Sequence, residues 1–475
     1  MAHRNNHRIT TTILRILTTF SLLHQISAVD DPPDSDCTDR WIHIRKLPTK
    51  FNTDILTNCS SFFPLYDDFC PYLSNHGLGQ KTHTRTHSWY RTDTHMLELI
   101  FHRRILEYPC LTADPSLASA VFVPYYASLD ALRYLYGPEY NSSQLHGMEL
   151  YEYLRTHDPE IWDRFYGHDH FLIMARTAWD FTQPVSPATR EQSLAKGAAA
   201  GSWGDEEGRS WGTSFLVTPE FYNVTALTLE SRAWAWQEQA VPHPTSFHPP
   251  SLALLESWVL RVRRSRRSVL MLFAGGGGAS VSGNPNIRRS IREECGRNNS
   301  NVESSGRFQK VCEIVDCSNG VCEHDPIRYM KPMLQASFCL QPPGETPARR
   351  STFDGIIAGC IPVFFEDQSA KMQYKWHLPP AEFDEFSVTI PKEDVVFKGV
   401  KVVDVLMGIP RSKVRRMREK VMDMIPKVMY RKHGSSLGLR TKKDAFDIAV
   451  EGTLLRIKDR LKQISDADDN LNDVK

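Results

Sequence analysis

The chain has 475 residues, 41% of them hydrophobic, which is enough for two folded domains of ordinary size. Its 57 basic and 56 acidic residues give a formal net charge of +1. A balance of this kind creates no overall field that would attract nucleic acid, so nucleic-acid partners are not expected.

The N-terminus combines a positively charged stretch with an apolar one. Residues 1–8 include Arg4 and Arg8, and residues 9–28 are moderately apolar and long enough to span a bilayer. Positive charge ahead of such a segment places the N-terminus in the cytosol. A cleaved signal peptide is the alternative, because Ile26-Ser-Ala resembles a small-residue cleavage site. Residues 29–36 would form a short stem.

Glycosylation sequons and cysteines together indicate the lumen of the secretory pathway. The sequons begin at Asn58, Asn141, Asn223 and Asn298. Two groups of cysteines are Cys37, Cys59, Cys70 and Cys110, and Cys295, Cys312, Cys317 and Cys322. We expect disulfides within each group, since disulfides form in that compartment and the spacing of the second group does not fit a structural zinc site.

The first half of the chain alternates between helical and strand patterns. Helices are predicted over residues 90–107 and 158–165, and strands over residues 120–126, within 168–181, over 213–218 and over 224–228. His83 and His87 have the i, i+4 spacing of a metal site on a helix, but no third ligand follows at a suitable spacing. No metal site is therefore predicted.

Polar side chains flank the strand within residues 168–181. Asp169 and His170 precede its apolar centre, and Arg176 and Asp180 follow it. Ligands collect at the carboxyl ends of strands in open α/β sheets, which favours Arg176 and Asp180 as site residues. The alternative for Asp169 and His170 is that they only cap or orient the strand.

Two features precede the second domain. Trp234, Trp236 and Trp258 either line a sugar groove or pack in the core. Residues 241–251 are rich in proline and are predicted to cross from the first domain to the second, with the cleft beside them.

The second domain is predicted to begin near residue 256. A buried strand over residues 268–274 runs into four glycines, and Gly275 and Gly276 would let backbone N–H groups approach a phosphate closely. The next helix, predicted over residues 286–295, begins with Arg288 and Arg289, which would add to this anion site.

The most informative stretch covers residues 337–379. A strand over residues 337–340 leads to Pro342-Pro-Gly344, then a helix that begins near residue 346 and ends at Gly359, then a strand over residues 361–365. This order is typical of a βαβ unit in a parallel sheet. A strand near residues 388–390, a helix over 412–430 interrupted at Pro426 and an amphipathic helix over 445–464 complete the prediction.

The turn into the helix of this βαβ unit carries the predicted chemistry. Arg349 and Arg350 lie near the first helical turn, where the helix dipole favours an anion such as a diphosphate. Arg349 and Ser351 are the better candidates for phosphate contact, and Asp354 would accept hydrogen bonds from a ribose diol. The alternative is a surface Arg–Asp pair at i, i+4. A nucleotide site is favoured because these residues follow Pro-Pro-Gly between two buried strands, with Gly344 in the loop.

The same residues resemble the exostosin family of glycosyltransferases, and specifically its plant xyloglucan galactosyltransferase branch. The matching segments are FCLQPPG, RRSTFD, AGCIPVFF and QYKWHLP, with FVPYYA from Phe122, DHF from Asp169, RTAWDF from Arg176 and the run from Pro244 to Pro249. The resemblance implies a two-domain GT-B fold, an inverting mechanism and a nucleotide-sugar donor without a DxD-type metal motif, hence no cofactor. It also favours the membrane anchor, in a type II Golgi protein with lumenal domains.

The resemblance implies a separate function for each part of the chain. Residues 37–255 would bind the acceptor and residues 256–440 a UDP-sugar, and residues 441–475 would form a C-terminal helix and tail. A β-galactosyl group would pass from UDP-galactose to xylose side chains of xyloglucan, with the Golgi membrane and other cell-wall glycosyltransferases as further partners. Such a transfer needs a base, for which Asp169, His170 and Asp180 are the candidates.

Two departures from the branch pattern leave the donor sugar open. Glu345-Thr-Pro-Ala stands where the branch has an Asp-Ser-Tyr-Thr-like run, and Glu366-Asp-Gln stands where a His-Pro-Gly-like turn is usual. UDP-galacturonic acid or a UDP-pentose is therefore the enzymatic alternative. A lumenal binding or scaffold protein without turnover is the other, although Arg349, Arg350 and Asp354 argue against it.

Overall fold

The computed structural model describes residues 37–57, 59, 70–82, 87–135, 140–183, 212–232, 235–276, 286–300, 308–317, 322 and 326–472. The chain separates into two compact units, residues 1–38 and 39–475, and the architecture below is that of the second unit. Across the described ranges, no helix combines the length and apolarity needed to cross a membrane. The predicted tail, anchor and stem, residues 1–36, lie outside those ranges.

Strands and helices alternate along most of the chain, as predicted. The strands are β1 Ile42–Ile44, β2 Leu111–Thr112, β3 Ala120–Phe122, β4 His170–Thr177, β5 Thr225–Glu230, β6 Glu238–Ala240, β7 Val269–Gly275, β8 Lys310–Asp316, β9 Ala336–Gln341, β10 Ile361–Phe364 and β11 Val388–Thr389. The helices are α1 Thr53–Thr57, α2 Leu97–Ile105, α3 Ala127–Leu135, α4 Met148–Thr156, α5 Pro159–Asp163, α6 Leu252–Arg264, α7 Ile287–Ser300, α8 Pro326–Gln335, α9 Arg350–Ile357, α10 Phe383–Phe386, α11 Lys392–Val396, α12 Val402–Gly408, α13 Arg411–Val428, α14 Leu437–Arg440 and α15 Ala445–Asn472.

The strands form two parallel sheets. The first sheet has the order β2-β1-β3-β4-β5-β6, and the second has the order β11-β10-β9-β7-β8. We call the first sheet with its helices the first lobe, and the second sheet with its helices the second lobe. The protein is therefore an α/β protein with parallel sheets, as predicted.

The first sheet is covered on both faces at β4, which explains why the centre of this strand is continuously apolar. Along β4, Phe171 and Ile173 pack in one core cluster, while the alternate residues Leu172 and Met174 pack in another. Helix α15 returns from the second lobe, and its Phe446 ring lies 4.6 Å from the Phe101 ring of α2. The prediction of a C-terminal amphipathic helix is confirmed.

Several predicted elements differ from the structure; among them, the strand predicted over 120–126 is confined to Ala120–Phe122 and the helix predicted over 286–295 covers Ile287–Ser300. Residues 213–218 contain the 3-10 helix Phe215–Val217 and not a strand, because the Ser214 carbonyl accepts hydrogen bonds from the Val217 N–H at 2.9 Å and the Thr218 N–H at 3.1 Å and so closes a local turn. The helix predicted over 90–107 is shorter, since Asp93 accepts a hydrogen bond from the His95 N–H and fixes the start of the helical segment. Helix α13 continues through Pro426, because its last turns are held by burial in the core.

Disulfides connect the cysteines within the predicted groups. The structure contains Cys59–Cys70, Cys295–Cys312 and Cys317–Cys322. A further bond that the sequence did not indicate, Cys339–Cys360, joins β9 to the residue before β10. This bond ties together the two strands that enclose the predicted phosphate-binding turn.

A buried ion-pair network attaches the C-terminal segment to the first lobe. The Asp444 carboxylate accepts hydrogen bonds from Arg104 Nη1 at 2.6 Å and from the Arg431 backbone N–H at 2.8 Å. Despite burial, the two arginines lower the pKa of Asp444 to about 2. Its stabilising contribution is therefore present above about pH 4 and lost as the pH falls toward 2.

We expect Asp444→Asn to destabilise the protein by about 3 kcal/mol, because the substitution removes the hydrogen-bonded counterion of the buried Arg104 guanidinium and leaves Asp447, 3.6 Å away, as its remaining carboxylate partner. Thermal unfolding at neutral pH measures this loss. Lys443→Ala is the control, since the Lys443–Glu451 pair is exposed and should contribute about 0–1 kcal/mol. Equal unfolding temperatures for the two variants would show that the network does not hold the C-terminal segment.

Candidate active site

A cavity of about 410 Å³ opens at the carboxyl ends of β7 and β9. These strands are neighbours, but the chain leaves them in opposite directions, to β8 on one side and to β10 on the other. Such a topological switch point is where parallel α/β sheets bind their ligands, because the loops diverge there and leave a crevice. The cavity therefore occupies the expected position of a nucleotide site in the second lobe.

The structure brings the predicted donor-binding residues together around this cavity. Its lining includes Gly275, Gly276, Arg288, Gly344, Arg349, Arg350, Ser351 and Asp354. These residues come from three separate segments of the chain, which the parallel order of β7 and β9 places at one edge. The last two glycines of the run, residues 277–278, lie outside the described residues.

Two guanidinium groups converge on Gly344. A Cβ atom added at this glycine would lie 2.2 Å from Arg349 Nη2 and 2.5 Å from Arg288 Nη2. Both side chains are held by backbone oxygens: Arg349 Nη1 donates to the Ala348 carbonyl at 2.7 Å, and Arg288 Nε donates to the Pro343 carbonyl at 3.0 Å. Glycine thus leaves room for two cations to approach the same point.

The electrostatics of this cation pair favour a bound anion. Burial and the neighbouring Arg288 guanidinium lower the pKa of Arg349 to about 10, so Arg349 is still protonated at neutral pH. Burial and Arg292 lower the pKa of Arg288. A diphosphate between the two groups would compensate two charges that repel each other. Arg289, also predicted for this site, points away and pairs with Glu293 at 2.9 Å.

Asp354 presents an acceptor to the same cavity. It is buried, its Oδ2 lies 3.4 Å from Arg350 Nε, and its Oδ1 has no hydrogen-bond partner among the described residues. A buried acceptor without a partner is costly until a ligand donates to it. Asp354 is therefore positioned to accept a hydrogen bond from a ligand hydroxyl, and its contact with a ribose stays a prediction.

Burial raises the pKa of Asp354 to about 6, although Arg350 opposes this shift. The carboxyl is thus ionised above this pH and protonated below it. We expect the KM for the nucleotide sugar to rise as the pH falls from 7.5 to 5, since the protonated group no longer accepts two hydrogen bonds. In Asp354→Asn this KM should be higher at every pH and independent of pH. A flat wild-type profile would contradict the assignment.

Arg350 connects the lobes. Its Nη1 donates to the Thr92 carbonyl at 2.7 Å, and its Nη2 donates to Ser246 Oγ at 3.0 Å and Tyr329 Oη at 3.3 Å. These contacts occupy Nη1 and Nη2 of Arg350, so its Nε is the nitrogen that faces the Asp354 carboxylate. Arg350 is thus suited to orienting Asp354, whereas Arg349 is suited to contacting a phosphate.

Ser351 is also engaged within the protein. Its hydroxyl donates to Gln341 Oε1 at 2.5 Å, and Gln341 Nε2 donates to the Ser351 carbonyl at 3.2 Å. These bonds fix the first turn of α9 against the end of β9. The Ser351 oxygen still lines the cavity, where it is able to accept a hydrogen bond.

Glu230, which the sequence analysis did not single out, joins the two lobes at this site. It is the last residue of β5, and its buried carboxylate accepts hydrogen bonds from the Ala348 N–H at 2.9 Å and from Trp179 Nε1 at 3.2 Å. Burial raises its pKa, and hydrogen bonds from Thr346 and Ala348 oppose the shift. The sequence signal that could have identified Glu230 is its position as a polar residue just after a predicted strand.

The three base candidates occupy different environments. Asp169 and His170 are fully buried at the amino end of β4, where Asp169 Oδ1 and His170 Nδ1 are 2.7 Å apart and Arg164 completes an ion-pair cluster. This position fits the alternative that they orient the strand. Asp180 follows the carboxyl end of β4, is partly exposed and pairs with Arg176 at 2.7 Å. It is next to Trp179, the partner of Glu230.

The remaining candidates are the predicted groove tryptophans and the predicted histidine pair. Trp258 is in the core and donates to the Ile357 carbonyl at 2.9 Å, so it does not line a groove. Trp234 lies outside the described residues, as does His83. Within the described part of the chain, no three His, Cys, Asp or Glu side chains gather as metal ligands, and the metal-free reaction stays a prediction.

The similarity of this chain to known proteins identifies its family. The model of the Exostosin GT47 domain matches residues 36–406. The Arabidopsis thaliana protein named "Probable xyloglucan galactosyltransferase GT19" is 65% identical over 437 residues, which cover 92% of this chain and 94% of the relative. From the same plant, "Xyloglucan galactosyltransferase MUR3" is 35% identical, covering 92% of this chain and 65% of the relative.

A third relative from Arabidopsis thaliana, "Xyloglucan-specific galacturonosyltransferase 1", is 32% identical to this chain. The aligned residues cover 89% of this chain and 58% of that relative. The resemblance noted in the sequence is thus confirmed, since the matched residues include both sheets and the cavity between β7 and β9. The chain belongs to the exostosin GT47 family and is a glycosyltransferase.

Proposed function

We propose that this protein is an inverting, metal-independent transferase that moves galactose from UDP-galactose to xylose side chains of xyloglucan. The observation that carries the proposal is the cavity at the switch point of the second sheet, which is lined by Arg288, Arg349 and Asp354. This arrangement offers two cations to a diphosphate and a carboxylate to a ribose. The names of the relatives supply the acceptor and the sugar.

The two lobes support a GT-B arrangement. Glu230 ends β5 in the first sheet, and Ala348 belongs to the loop that follows β9 in the second, so their hydrogen bond joins the carboxyl edges of the two parallel sheets. A donor in the second lobe would face an acceptor in the first. In the Golgi lumen, residues 9–28 would serve as a type II anchor, with other cell-wall glycosyltransferases as neighbours.

The four sequons are part of this lumenal proposal. Asn223 donates from its amide to the Tyr166 carbonyl at 3.0 Å, which a glycan would have to accommodate. Asn58 and the side chains of Asn141 and Asn298 lie outside the described residues.

The transfer balances without a further reactant. The bond between C1 of galactose and the β-phosphate oxygen breaks, and UDP leaves with the electron pair. The acceptor hydroxyl oxygen bonds to C1 from the opposite face, which inverts the configuration. Its proton passes to the Asp180 carboxylate, the candidate base at the carboxyl edge of the first sheet. Arg288 and Arg349 stabilise the charge that develops on the leaving diphosphate.

One carboxylate at the donor cavity, that of Glu345, favours a neutral sugar in its neighbourhood. Glu345 is exposed at the rim of this cavity and lies close enough to Arg288 and Arg349 to interact with both. A second carboxylate, on a galacturonosyl group, would be repelled there. Glu366, the other departure from the branch pattern, forms an ion pair with Lys392 on α11.

The test is an assay of the full-length protein with a xyloglucan oligosaccharide and each of UDP-galactose, UDP-galacturonic acid and a UDP-pentose, with and without chelator. Transfer of galactose that resists the chelator is expected. Transfer from another donor alone would change the assigned sugar. A chelator that abolishes transfer would refute the metal-free reaction, and no transfer from any donor would favour a scaffold protein.

A further inference from the structure

A second cavity, of about 560 Å³, lies beside the donor site. Its walls are the segment that follows β5, the loop that follows β10 and one face of α15; we call it the α15 groove. Two of these walls begin at the carboxyl ends of parallel strands, where α/β sheets bind ligands. The groove starts at Ser231, the residue after Glu230, and Glu230 bonds to the loop that carries Arg349.

Hydrogen bonds across the lobes make the groove a built feature. Gln373 Oε1 accepts from the Ser231 N–H at 2.8 Å, and Gln373 Nε2 donates to the Ser231 carbonyl at 3.0 Å. Gln239 Nε2 donates to the Gln373 carbonyl at 2.8 Å. These bonds fasten the loop after β10 to the edge of the first sheet, so the lining has a defined shape before any ligand binds.

Two indole rings line the groove. Trp236 is 46% exposed, although a side chain of this size is normally covered. It is held in place by a stack with Tyr222 at a centroid distance of 6.0 Å and by the Arg460 guanidinium at 5.6 Å. Trp376 rests on α15 at Gly452, where an added Cβ would lie 2.3 Å from the Trp376 ring. The glycine thus sets the position of the second indole.

Hydrogen-bond donors accompany the rings. Lys375, Arg456 and Arg460 line the groove together with Asp459. Arg456 Nη1 donates to the Glu238 carbonyl at 3.1 Å, and Arg460 Nη1 donates to the Asn223 carbonyl at 2.6 Å. These two guanidinium groups are therefore fixed in position, while further N–H groups of each remain as donors. A half-exposed indole beside a partly exposed one, combined with donors, suits pyranose rings, whose C–H faces stack on indole and whose hydroxyls accept hydrogen bonds. The groove is open at the surface, where an extended chain would have access to it.

We propose that the α15 groove binds the neutral polysaccharide backbone of the acceptor, several sugar rings away from the reacting hydroxyl. This inference rests on the proposed function and extends it to acceptor length. A polymer that reaches the groove would gain affinity from Trp236 and Trp376, whereas a single repeating unit bound at the transfer site would not reach them.

The experiment compares full-length wild type with Trp236→Ala, Trp236→Phe and Gly452→Ala. We expect Trp236→Ala to raise the KM for xyloglucan polymer about threefold to tenfold, as loss of one aromatic contact predicts. The KM for a one-repeat oligosaccharide and for UDP-galactose should stay unchanged. Trp236→Phe should retain most of the polymer affinity, and Gly452→Ala should reproduce the defect by displacing Trp376. Phe397→Ala removes an exposed aromatic ring outside the groove and is the matched control.

Direct binding of polymer without donor separates this inference from the proposed function. Weaker polymer binding by Trp236→Ala and Gly452→Ala supports the groove even if no galactose is transferred. If both variants bind polymer as wild type does, or if the oligosaccharide KM rises equally, the groove is not an acceptor subsite. Preference for an acidic polysaccharide over neutral xyloglucan would likewise overturn the proposal.

Discussion

Replacing Arg349 with glutamine is expected to lower kcat by about a hundredfold to a thousandfold, the usual cost of removing one preorganised group that stabilises developing charge. The neutral side chain keeps most of the volume of arginine and its ability to donate to the Ala348 carbonyl. It removes the charge that, with Arg288, faces the position of the leaving diphosphate at Gly344. The measurement is initial-rate kinetics with UDP-galactose at saturating acceptor.

The matched control for this variant is Arg289→Gln on α7. Arg289 is exposed and pairs with Glu293 on the surface, so its loss should leave kcat within about twofold of wild type. The unfolding temperature of Arg349→Gln should stay near that of wild type, which would separate lost chemistry from lost folding. Turnover by Arg349→Gln at the wild-type rate would remove the guanidinium from the mechanism.

Asp180→Asn is expected to lower kcat by about a hundredfold to ten-thousandfold, because an amide is unable to accept the proton of the attacking hydroxyl. The substitution is nearly isosteric and leaves the partly exposed position after β4 intact. Acceptor and donor KM values should change little, since binding does not require the proton transfer.

Arg176→Gln tests whether the Arg176–Asp180 ion pair, and not the carboxylate itself, is what matters. It breaks the same pair but keeps Asp180, so it should retain more than about a tenth of the activity. Asp169→Asn disturbs the buried ion-pair cluster at the other end of β4, so it should lower the unfolding temperature. The kcat of the protein that remains folded should change little. Equal losses of kcat in Asp180→Asn and Arg176→Gln would indicate a structural role for the pair.

The fold and the candidate site were predictable from the sequence where the turn residues and the candidate site residues lie within one short segment. The βαβ unit around α9 was predictable because Pro342-Pro-Gly344 and Gly359 mark its turns, and Gly359 has the positive φ of +63° expected at a helix end. The convergence of Arg288 on the same cavity followed from the parallel order of β7 and β9. Residues close in sequence to these turns were therefore placed well.

Contacts made between distant segments were not predictable in the same way. The sequence could not reveal that Arg350 bonds to Thr92, or that Glu230 reaches Ala348, because these pairs are separated by more than a hundred residues. Asp169 and His170 were candidates for chemistry because they flank a strand, but the end of the strand they occupy decides their role. Only the three-dimensional arrangement shows which edge of each sheet faces the donor cavity.

The most direct test of the central claim is an experimental structure of the protein with bound UDP. We expect the diphosphate between the guanidinium groups of Arg288 and Arg349 near Gly344, and a ribose hydroxyl within hydrogen-bond distance of Asp354 Oδ1. UDP located in the α15 groove, or at any position that leaves these two arginines and Asp354 without contact, would contradict the assignment of the donor site.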